Sequence, residues 1–424
     1  MATDSIFLQA EKINTMLPAW QDKPWNVATD LIRRRGDLEK IGERDYRIPF
    51  DTVIGGRVGT YNPDMGDLGR GSGPKGNYLT ASYFPLRLNF ELSHLQIKAT
   101  KTKDVAARSV LKETVKDAVP EFMQYRDKYF HSDGTAVLAT ATAHSAGSGV
   151  SVYTLDTQFG TKRLRRGQYC TIYNNGLTAA LSSSALYINA LDTVNKTATF
   201  SGVVPGASAT DKICFEGVSG PTPAGYKGLY YWHSTATSGT TGGINRASEP
   251  EIIVNGVDGT GGLTPQHMLL AYHRVADRRG EQADDVVGLA SFAQHAAAIA
   301  NAMAVQVVDI SRGVPASLDR LPKGIRARSF ELGGVPLYID RHQANDRIDI
   351  FPPKVWGRTQ LDDMHFFDRT AGQMEGGGRF FELRGGSGAP AAGVWFGLTV
   401  EEDYFCANPG AAVVIFNLSI PTGY

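Results

Sequence analysis

Hydrophobic and polar positions follow a helical period over one long stretch of this chain. Between Asp104 and Phe130, apolar residues recur from Leu111 onward at alternating spacings of four and three residues, which places them on one face of a helix. The pattern predicts a helix of about 27 residues, or roughly 40 Å in length. Pro120 lies inside this stretch, and we expect a kink or a restart there because proline removes a helical hydrogen bond.

Two strand-like stretches flank a polar, glycine-rich segment nearer the N-terminus. Residues 46–62 and 78–99 are rich in β-forming residues, and the segment between them predicts the tip of a long β-hairpin. Apolar residues alternate along the second arm at Phe84, Leu86, Leu88, Phe90 and Leu92. An isolated two-stranded hairpin is marginally stable in water. We therefore expect another subunit to cover this apolar face.

The middle of the chain changes to a composition rich in Thr, Ser, Gly and Val. Short strand-like runs between residues 136 and about 225 predict a small antiparallel barrel or sandwich. A basic patch lies within it, and we interpret this patch as a solvated loop rather than a binding surface. The patch consists of Lys162, Arg163, Arg165 and Arg166.

Helix and strand patterns alternate from residue 264 to about 360. Thr264 and Pro265 form a helix start signal, and Ser291 is placed to cap a second helix. Apolar runs at DDVVGLA, GGVPLYID and RIDIFPP predict three strands, so this region reads as a compact α/β unit. Two further strands, joined at Asn408-Pro409-Gly410, close the chain.

The charge balance and the cysteine content limit the classes of function. Lysine plus arginine and aspartate plus glutamate both number 43, so the net charge is zero, which argues against a protein that binds nucleic acid mainly through phosphates. Arg33, Arg34 and Arg35 are surrounded by acids, and we interpret them as a solvated helix or a contact with another chain. The three scattered cysteines are typical of buried thiols in a reducing compartment. We expect no membrane span and no secretory signal.

Motifs for catalysis and for cofactor binding are absent from the sequence. Gly71, Gly73 and Gly76 match GxGxxG, but a strand-like run follows them where a dinucleotide site requires a helix. The nine histidines show no HExxH and no zinc-ligand spacing, and the chain has no GxSxG. We therefore predict no enzymatic activity, no cofactor and no metal site.

The order of these pieces resembles the major capsid protein of tailed bacteriophages, which has the Hong Kong 97 type of fold. The resemblance rests on DGTAVLATA after the long helix, on DDVVGLASFAQHAAAIANAM, on LGGVPLYID followed by RIDIFPPKVWGR, and on FCANPGAAVVIFNLSI. It covers most of the chain outside residues 136–225 and implies an α+β fold. The implied divisions are an N-terminal arm (1–45), an extended loop (46–98), a peripheral domain with a spine helix (99–135), an inserted β domain (136–225), a linker (226–263), an axial domain (264–375) and C-terminal strands (376–424).

The resemblance also implies a function. Hexamers and pentamers of the chain are expected to form an icosahedral shell in the virion around double-stranded DNA, after assembly in the host cytoplasm. Scaffolding, portal and decoration proteins are the implied partners besides the chain itself. The candidate inter-subunit contacts are Arg33, Arg34, Arg35, Lys75, Phe84, Leu86, Leu88 and Phe90. The alternatives are a cellular nanocompartment shell of the same fold and a β-rich carbohydrate-binding structural protein, with a nucleotide-dependent enzyme as a weaker one.

Overall fold

The structure is a computed structural model of the 424-residue chain. Apart from a few isolated positions, the residues it describes are 38–41, 44–53, 75–93, 104–182, 185–216, 224–279, 285–306, 330–332, 335–366, 381–384 and 390–423. No helix within these ranges is both long enough and apolar enough to cross a bilayer.

Helices and strands are numbered here in chain order. The helices are α1 Asp104–Phe130, α2 Leu229–Trp232, α3 Pro265–Arg279 and α4 Phe292–Gln306. The strands of the N-terminal half are β1 Glu39–Lys40, β2 Asp45–Val53, β3 Lys75–Ser82, β4 Phe84–Ser93, β5 Val137–Gly147, β6 Val150–Leu155, β7 Tyr169–Tyr173, β8 Leu186–Asp192, β9 Thr197–Phe200 and β10 Lys212–Phe215. Those of the C-terminal half are β11 Thr240–Thr241, β12 Ile244–Asn245, β13 Asn255–Asp258, β14 Val287–Ala290, β15 Phe330–Leu332, β16 Val335–Ile339, β17 Ile348–Phe351, β18 Trp356–Phe366, β19 Phe381–Arg384, β20 Pro390–Cys406 and β21 Val413–Phe416.

The chain divides into two compact units. The first consists of Met1–Gly36, Tyr83–Tyr129 and Arg358–Asp403. The second consists of Asp37–Ser82, Phe130–Gly357 and Tyr404–Tyr424. Each unit is assembled from segments that are distant in sequence, so contacts between distant segments determine its core.

Helix α1 confirms the helix predicted between Asp104 and Phe130, and it continues through Pro120 without a restart. The predicted apolar face is buried at Val115 and Phe122 and half-buried at Tyr125 and Tyr129, and the buried surface extends to Val119 and Met123. An ion pair lies on this buried side. Arg126 is completely buried, and its Nη2 donates to Oε2 of Glu402 at 2.6 Å while its Nε contacts Oε1. A buried charge requires such compensation.

Strand β4 lies in a sheet built by its own chain. It pairs antiparallel with β20 along its whole length, with Phe84 opposite Glu402 and Ser93 opposite Gly393. Strands β18 and β19 also pair with β20. The second arm of the predicted hairpin therefore continues only as far as β3, and beyond Tyr83 the chain enters a different sheet.

The prediction that another subunit covers the apolar face of β4 is wrong for Leu86. Leu86 is 4 % exposed and packs in a core with Val115 and Phe122 of α1 and with Leu398 and Val400 of β20. Phe84 and Leu88 are half-buried against the same core. The sequence pattern correctly identified a face that needs cover. The cover comes from α1 and from a strand about 300 residues away, which no local pattern reveals.

The base of the hairpin is also covered by its own chain. Strands β2 and β3 pair antiparallel from Asp45 opposite Ser82 to Val53 opposite Lys75. Tyr46 is buried and contacts Phe405 edge to face, with ring centroids 5.8 Å apart. Of the other candidate contacts, Lys75 and Phe90 lie in described strands but their side chains do not, and Arg33, Arg34 and Arg35 lie outside the described residues. Their role stays a prediction.

Residues 137–215 form a closed six-stranded barrel. The strand order is β10-β5-β6-β9-β8-β7, and every neighbouring pair is antiparallel. The four strands predicted here are present as β6, β7, β8 and β9, and β5 and β10 were not predicted. Alternation of buried and half-exposed residues, as in β6, places one face of each strand in the barrel interior.

A six-stranded mixed sheet forms the core of the α/β region. Its order is β13-β21-β17-β14-β16-β15, and the β13–β21 and β14–β16 pairs are parallel. The predicted helix starts are confirmed, because α3 begins at Pro265 and the backbone N–H of Gln294 donates to Oγ of the capping Ser291 at 3.3 Å. The two closing strands do not pair with each other: β20 belongs to the sheet with β4, whereas β21 lies between β13 and β17.

The cover of β4 by its own chain can be tested on the unassembled subunit. Leu86→Ala is expected to lower the free energy of unfolding by about 2–5 kcal/mol, because it removes a buried leucine from a packed core. Urea unfolding followed by circular dichroism measures the change. Leu270, which is 41 % exposed on α3, is the matched control, and Leu270→Ala is expected to change stability by less than about 0.5 kcal/mol. Equally small changes in the free energy of unfolding of both variants would contradict the burial of Leu86 in the core of its own chain.

Candidate functional site

Four segments of the second unit meet at one end of the barrel. They are the loop after β6 (156–164), His131 directly after α1, α2 together with His233, and residues 340–349, which run from the end of β16 into β17. We call these segments together the barrel junction. The barrel supplies the first segment and the α/β sheet supplies the last. The junction therefore determines how the barrel is attached to the sheet.

The centre of the barrel junction is the carboxylate of Asp349, which is completely buried on β17. Arg347 donates to both of its oxygens, from Nε at 2.8 Å and from Nη2 at 2.6 Å. Gln343 Nε2 donates to it at 2.7 Å, and Nδ1 of His233 lies 2.9 Å from Oδ1. Burial alone would raise the pKa of Asp349, but the charge of Arg347 and these hydrogen bonds outweigh it and hold the pKa below its usual value.

Tyr230 connects this centre to the barrel loop. Its hydroxyl donates to Oε1 of Gln343 at 3.0 Å and accepts from the backbone N–H of Ala344 at 2.8 Å. The guanidinium of Arg347 lies 4.4 Å from the ring centroid, and that of Arg163 lies 5.6 Å from it. The Tyr230 ring therefore makes cation–π contacts with two guanidinium groups, and such contacts are stronger where water is excluded.

Two histidines of the barrel junction, His131 and His233, are completely buried and favour the neutral form. Burial lowers the pKa of His233, although its hydrogen bond to Asp349 opposes the shift. Burial, followed by the nearby charge of Arg163, lowers the pKa of His131 well below its usual range. A neutral His233 donates through Nδ1–H to Asp349, and this bond fixes its tautomer.

The interpretation of the basic patch as a solvated loop is wrong for two of its members. Arg163 is buried, its Cζ lies 3.7 Å from the ring centroid of Phe159, and its Nη2 donates to the backbone oxygen of His131 at 2.8 Å. Lys162 is half-buried and donates from Nζ to Oδ1 of Asn345. Arg165 and Arg166 are exposed, as expected. The aromatic and carbonyl partners come from distant segments, so the local run of charge does not predict the burial.

The barrel junction serves to hold the barrel on the sheet. Its central carboxylate already accepts hydrogen bonds from Arg347 and Gln343 and pairs with His233, which removes it as a free general base. A buried network of ion pairs and hydrogen bonds favours one arrangement of the segments that carry it. We interpret the barrel junction as an attachment that fixes the direction of the barrel.

A cleft of about 730 Å³ opens beside the barrel junction. Thr157, Gln158 and Lys196 line it on the barrel side, and Asp346 and residues 417–423 line the other side. Burial raises the pKa of Asp346. A lysine and a carboxyl group both line this cleft, so its charge does not favour a ligand of one sign.

The sequence identified few residues of the barrel junction. Lys162 and Arg163 were noted as part of a basic patch. Tyr230 and Asn345 carried no local signal that separates them from ordinary loop residues. Arg347 directly precedes strand β17 and stands two residues before Asp349. In an extended chain this spacing places both side chains on one side, and it is the signal that could have found the pair.

Comparisons with known proteins give a likeness of fold. No family model matches the chain, and no curated protein matches it. A chain of the cyanophage A-1(L) capsid asymmetric unit is similar at a TM-score of 0.51 and 12 % identity, over 92 % of each chain. The satellite phage P4 procapsid with its size determination protein gives a TM-score of 0.41 at 10 % identity, over 96 % of this chain and 91 % of the other. The virus-like particle from Pyrococcus furiosus gives 0.39 at 8 % identity, over 96 % and 98 %.

The buried histidines predict a loss of subunit stability in mild acid. The unfolded chain binds protons at histidine below about pH 6.5 whereas the folded chain resists them, so stability falls as the pH drops from 7 to 5, by up to about 1.4 kcal/mol per pH unit for each histidine. The contribution of Asp349 has the same sign but is lost only below its unfolded pKa of 3.8. Urea unfolding midpoints at pH 7, 6 and 5 measure the slope.

The matched variants are His233→Gln, which is expected to reduce the slope, and His273→Gln on the exposed side of α3, which is expected to leave it unchanged. A wild-type stability that is flat between pH 7 and 5 would contradict the buried neutral histidines.

Proposed function

Because the chain has the major capsid fold of tailed bacteriophages, we propose that it is the subunit of a phage head. In this proposal hexamers and pentamers of the chain close into an icosahedral shell that encloses double-stranded DNA. The supporting observation is the likeness to the cyanophage A-1(L) capsid chain, which extends over 92 % of both chains. The proposal assigns the protein to the virion, after assembly in the host cytoplasm, and assigns it no enzymatic role.

The finer division of the fold belongs to this proposal. We assign α1 as the spine helix and the sheet around β20 as the peripheral domain. The six-stranded sheet with α3 and α4 becomes the axial domain, and the closed barrel becomes the inserted domain. Strands β13 and β21 lie outside residues 264–375 but form one side of this sheet. The axial domain in this assignment therefore includes them.

Shell formation requires contacts that many copies can repeat. Head-to-tail contacts close into rings, and several weak contacts on one lattice act together. Leu86 is buried by its own chain, whereas Phe84 and Leu88 are only half-buried and stay proposed contacts. Arg33, Arg34, Arg35 and Lys75 stay proposed contacts, as does Phe90. A net charge of zero allows the shell to enclose DNA without adhering to it through phosphates. Scaffolding, portal and decoration proteins are the proposed further partners.

A cellular nanocompartment shell is the alternative that the fold does not separate from a phage head. The contents of the particle decide between them, because a phage head encloses double-stranded DNA and a nanocompartment encloses a protein cargo. A carbohydrate-binding role has one supporting observation. Tyr169 and Tyr187 are 50 % and 43 % exposed on the barrel, with ring centroids 5.9 Å apart. Glycan binding by the full chain tests it.

Electron microscopy of the purified protein tests the proposal. We expect closed particles of uniform size, formed by the chain alone or with a co-expressed scaffolding protein, because repeated weak contacts close only on a regular lattice. Reversal of charge at Arg33, Arg34 and Arg35 to glutamate is expected to reduce particle yield, while circular dichroism stays unchanged. Arg166→Glu on the exposed turn of the barrel is the matched control. Persistent monomers of the wild-type chain under all these conditions would contradict the proposed function.

A further inference from the structure

The barrel junction brings the amine of a lysine directly onto the side-chain amide of an asparagine. Nζ of Lys162, in the barrel loop, donates to Oδ1 of Asn345, in the loop between β16 and β17. The two residues are 183 positions apart in the sequence. This contact therefore holds a nucleophilic nitrogen against the amide oxygen, which is one bond from the carbonyl carbon, across the attachment of the barrel.

Asn345 is held firmly in this orientation. Its backbone N–H donates to the oxygen of Gln158 at 2.9 Å, and its Nδ2 donates to the oxygen of Thr157 at 3.0 Å. Its own backbone oxygen accepts from Nε2 of Gln294 at 2.6 Å. The residue is 2 % exposed. Two reacting groups held at contact distance react as if at very high concentration, because the entropy of bringing them together is already lost.

The surroundings of Lys162 favour the reactive form of the amine. Burial, together with the adjacent charge of Arg163, lowers the pKa of Lys162 to about 8. Roughly one amine in ten is then neutral at pH 7, and a neutral lysine amine is the nucleophilic form. The charge of Asp340 acts on Lys162 in the opposite direction. This carboxylate is fixed at Oδ1 by the backbone N–H of His342 at 2.9 Å.

We propose that Lys162 and Asn345 form an intramolecular isopeptide bond that fastens the barrel to the α/β sheet. Nζ attacks Cγ of Asn345, a new N–C bond forms, and the bond from Cγ to Nδ2 breaks. The proton lost by Nζ passes to the departing nitrogen with the help of the Asp340 carboxylate, and one ammonia leaves. Atoms and electrons balance without an oxidant or another reactant. The leaving nitrogen faces the oxygen of Thr157, which lines the open cleft and gives ammonia a way out.

This bond is a property of the single chain and does not rest on the proposed function. It closes a covalent ring through the barrel, so the linked chain has fewer unfolded conformations than the open one. The bond persists in denaturant, where the hydrogen bonds of the barrel junction do not. Both consequences are measurable on full-length subunits, whether or not they assemble.

Mass spectrometry of the denatured full-length protein tests the proposal. We expect an intact mass lower than the sequence mass by one ammonia, and a proteolytic fragment in which the peptide with Lys162 is joined to the peptide with Asn345. Protein kept at pH 8 for several days is measured beside fresh protein, because a slow reaction is complete only in the former. An unchanged sequence mass in both samples overturns the proposal and leaves an ordinary hydrogen bond.

Variants distinguish formation of the isopeptide bond from other reactions that release ammonia, such as succinimide formation at Asn175-Gly176. Lys162→Arg and Asn345→Ser are expected to keep the full sequence mass. Lys212→Arg is the matched control, since Lys212 is a barrel lysine that donates to Oγ1 of Thr140 at 3.0 Å instead of to an amide, and this variant is expected to lose ammonia as the wild type does. A loss that persists in Lys162→Arg contradicts the proposal.

Asp340→Asn tests the assisting carboxylate. We expect this variant to form the bond at pH 8 at least tenfold more slowly than the wild type, as measured by the fall of its unreacted fraction with time. Its near-ultraviolet circular dichroism is expected to match that of the wild type. Equal rates in the two proteins would exclude this role for Asp340.

Discussion

The buried carboxylate of Asp349 is the constraint on which the attachment of the barrel depends. An ionised carboxylate away from water is costly unless charge and hydrogen bonds compensate it. The compensation comes from Arg347, directly before the same strand, and from His233 and Gln343. Gln343 accepts from Tyr230, and the Tyr230 ring contacts the cation of Arg163 in the barrel loop. A continuous series of contacts thus links this one charge in the α/β sheet to the barrel loop.

Local periodicity predicted the elements whose signal lies within one segment. Helix α1 was found from the spacing of its apolar residues, strands β6 to β9 from short strand-like runs, and the helix starts at Pro265 and after Ser291 from residue type. Pairing partners were not found, because the pattern along β4 shows only that a face is apolar and not that β20 covers it. For the same reason the burial of Arg163 was missed. Its partners His131 and Phe159 are ordinary residues until the fold brings them together.

The covered core of β4 changes how assembly is explained physically. A subunit that buries Leu86 against its own helix does not need a neighbour to cover that side chain. Contacts between subunits are then free to be polar and individually weak, which suits a shell that must correct errors while it closes. A hydrophobic face left open for a partner would instead favour aggregation before assembly. The capsid proposal is therefore consistent with a self-covered subunit, and it rests on the fold rather than on an unsatisfied surface.

A closed barrel is suited to insertion into a lattice protein. Its six strands pair all the way round and leave no open edge on which a neighbouring strand could add. The six-stranded sheet, by contrast, has β13 and β15 at its two edges within the described residues. A strand from another copy can therefore add to the edge of this sheet but not to the barrel. The barrel contacts the rest of its own chain through side chains and loop carbonyls. An element attached in that way keeps a fixed direction only if its attachment is stiff, and the barrel junction supplies that stiffness through Asp349 and the contact between Lys162 and Asn345.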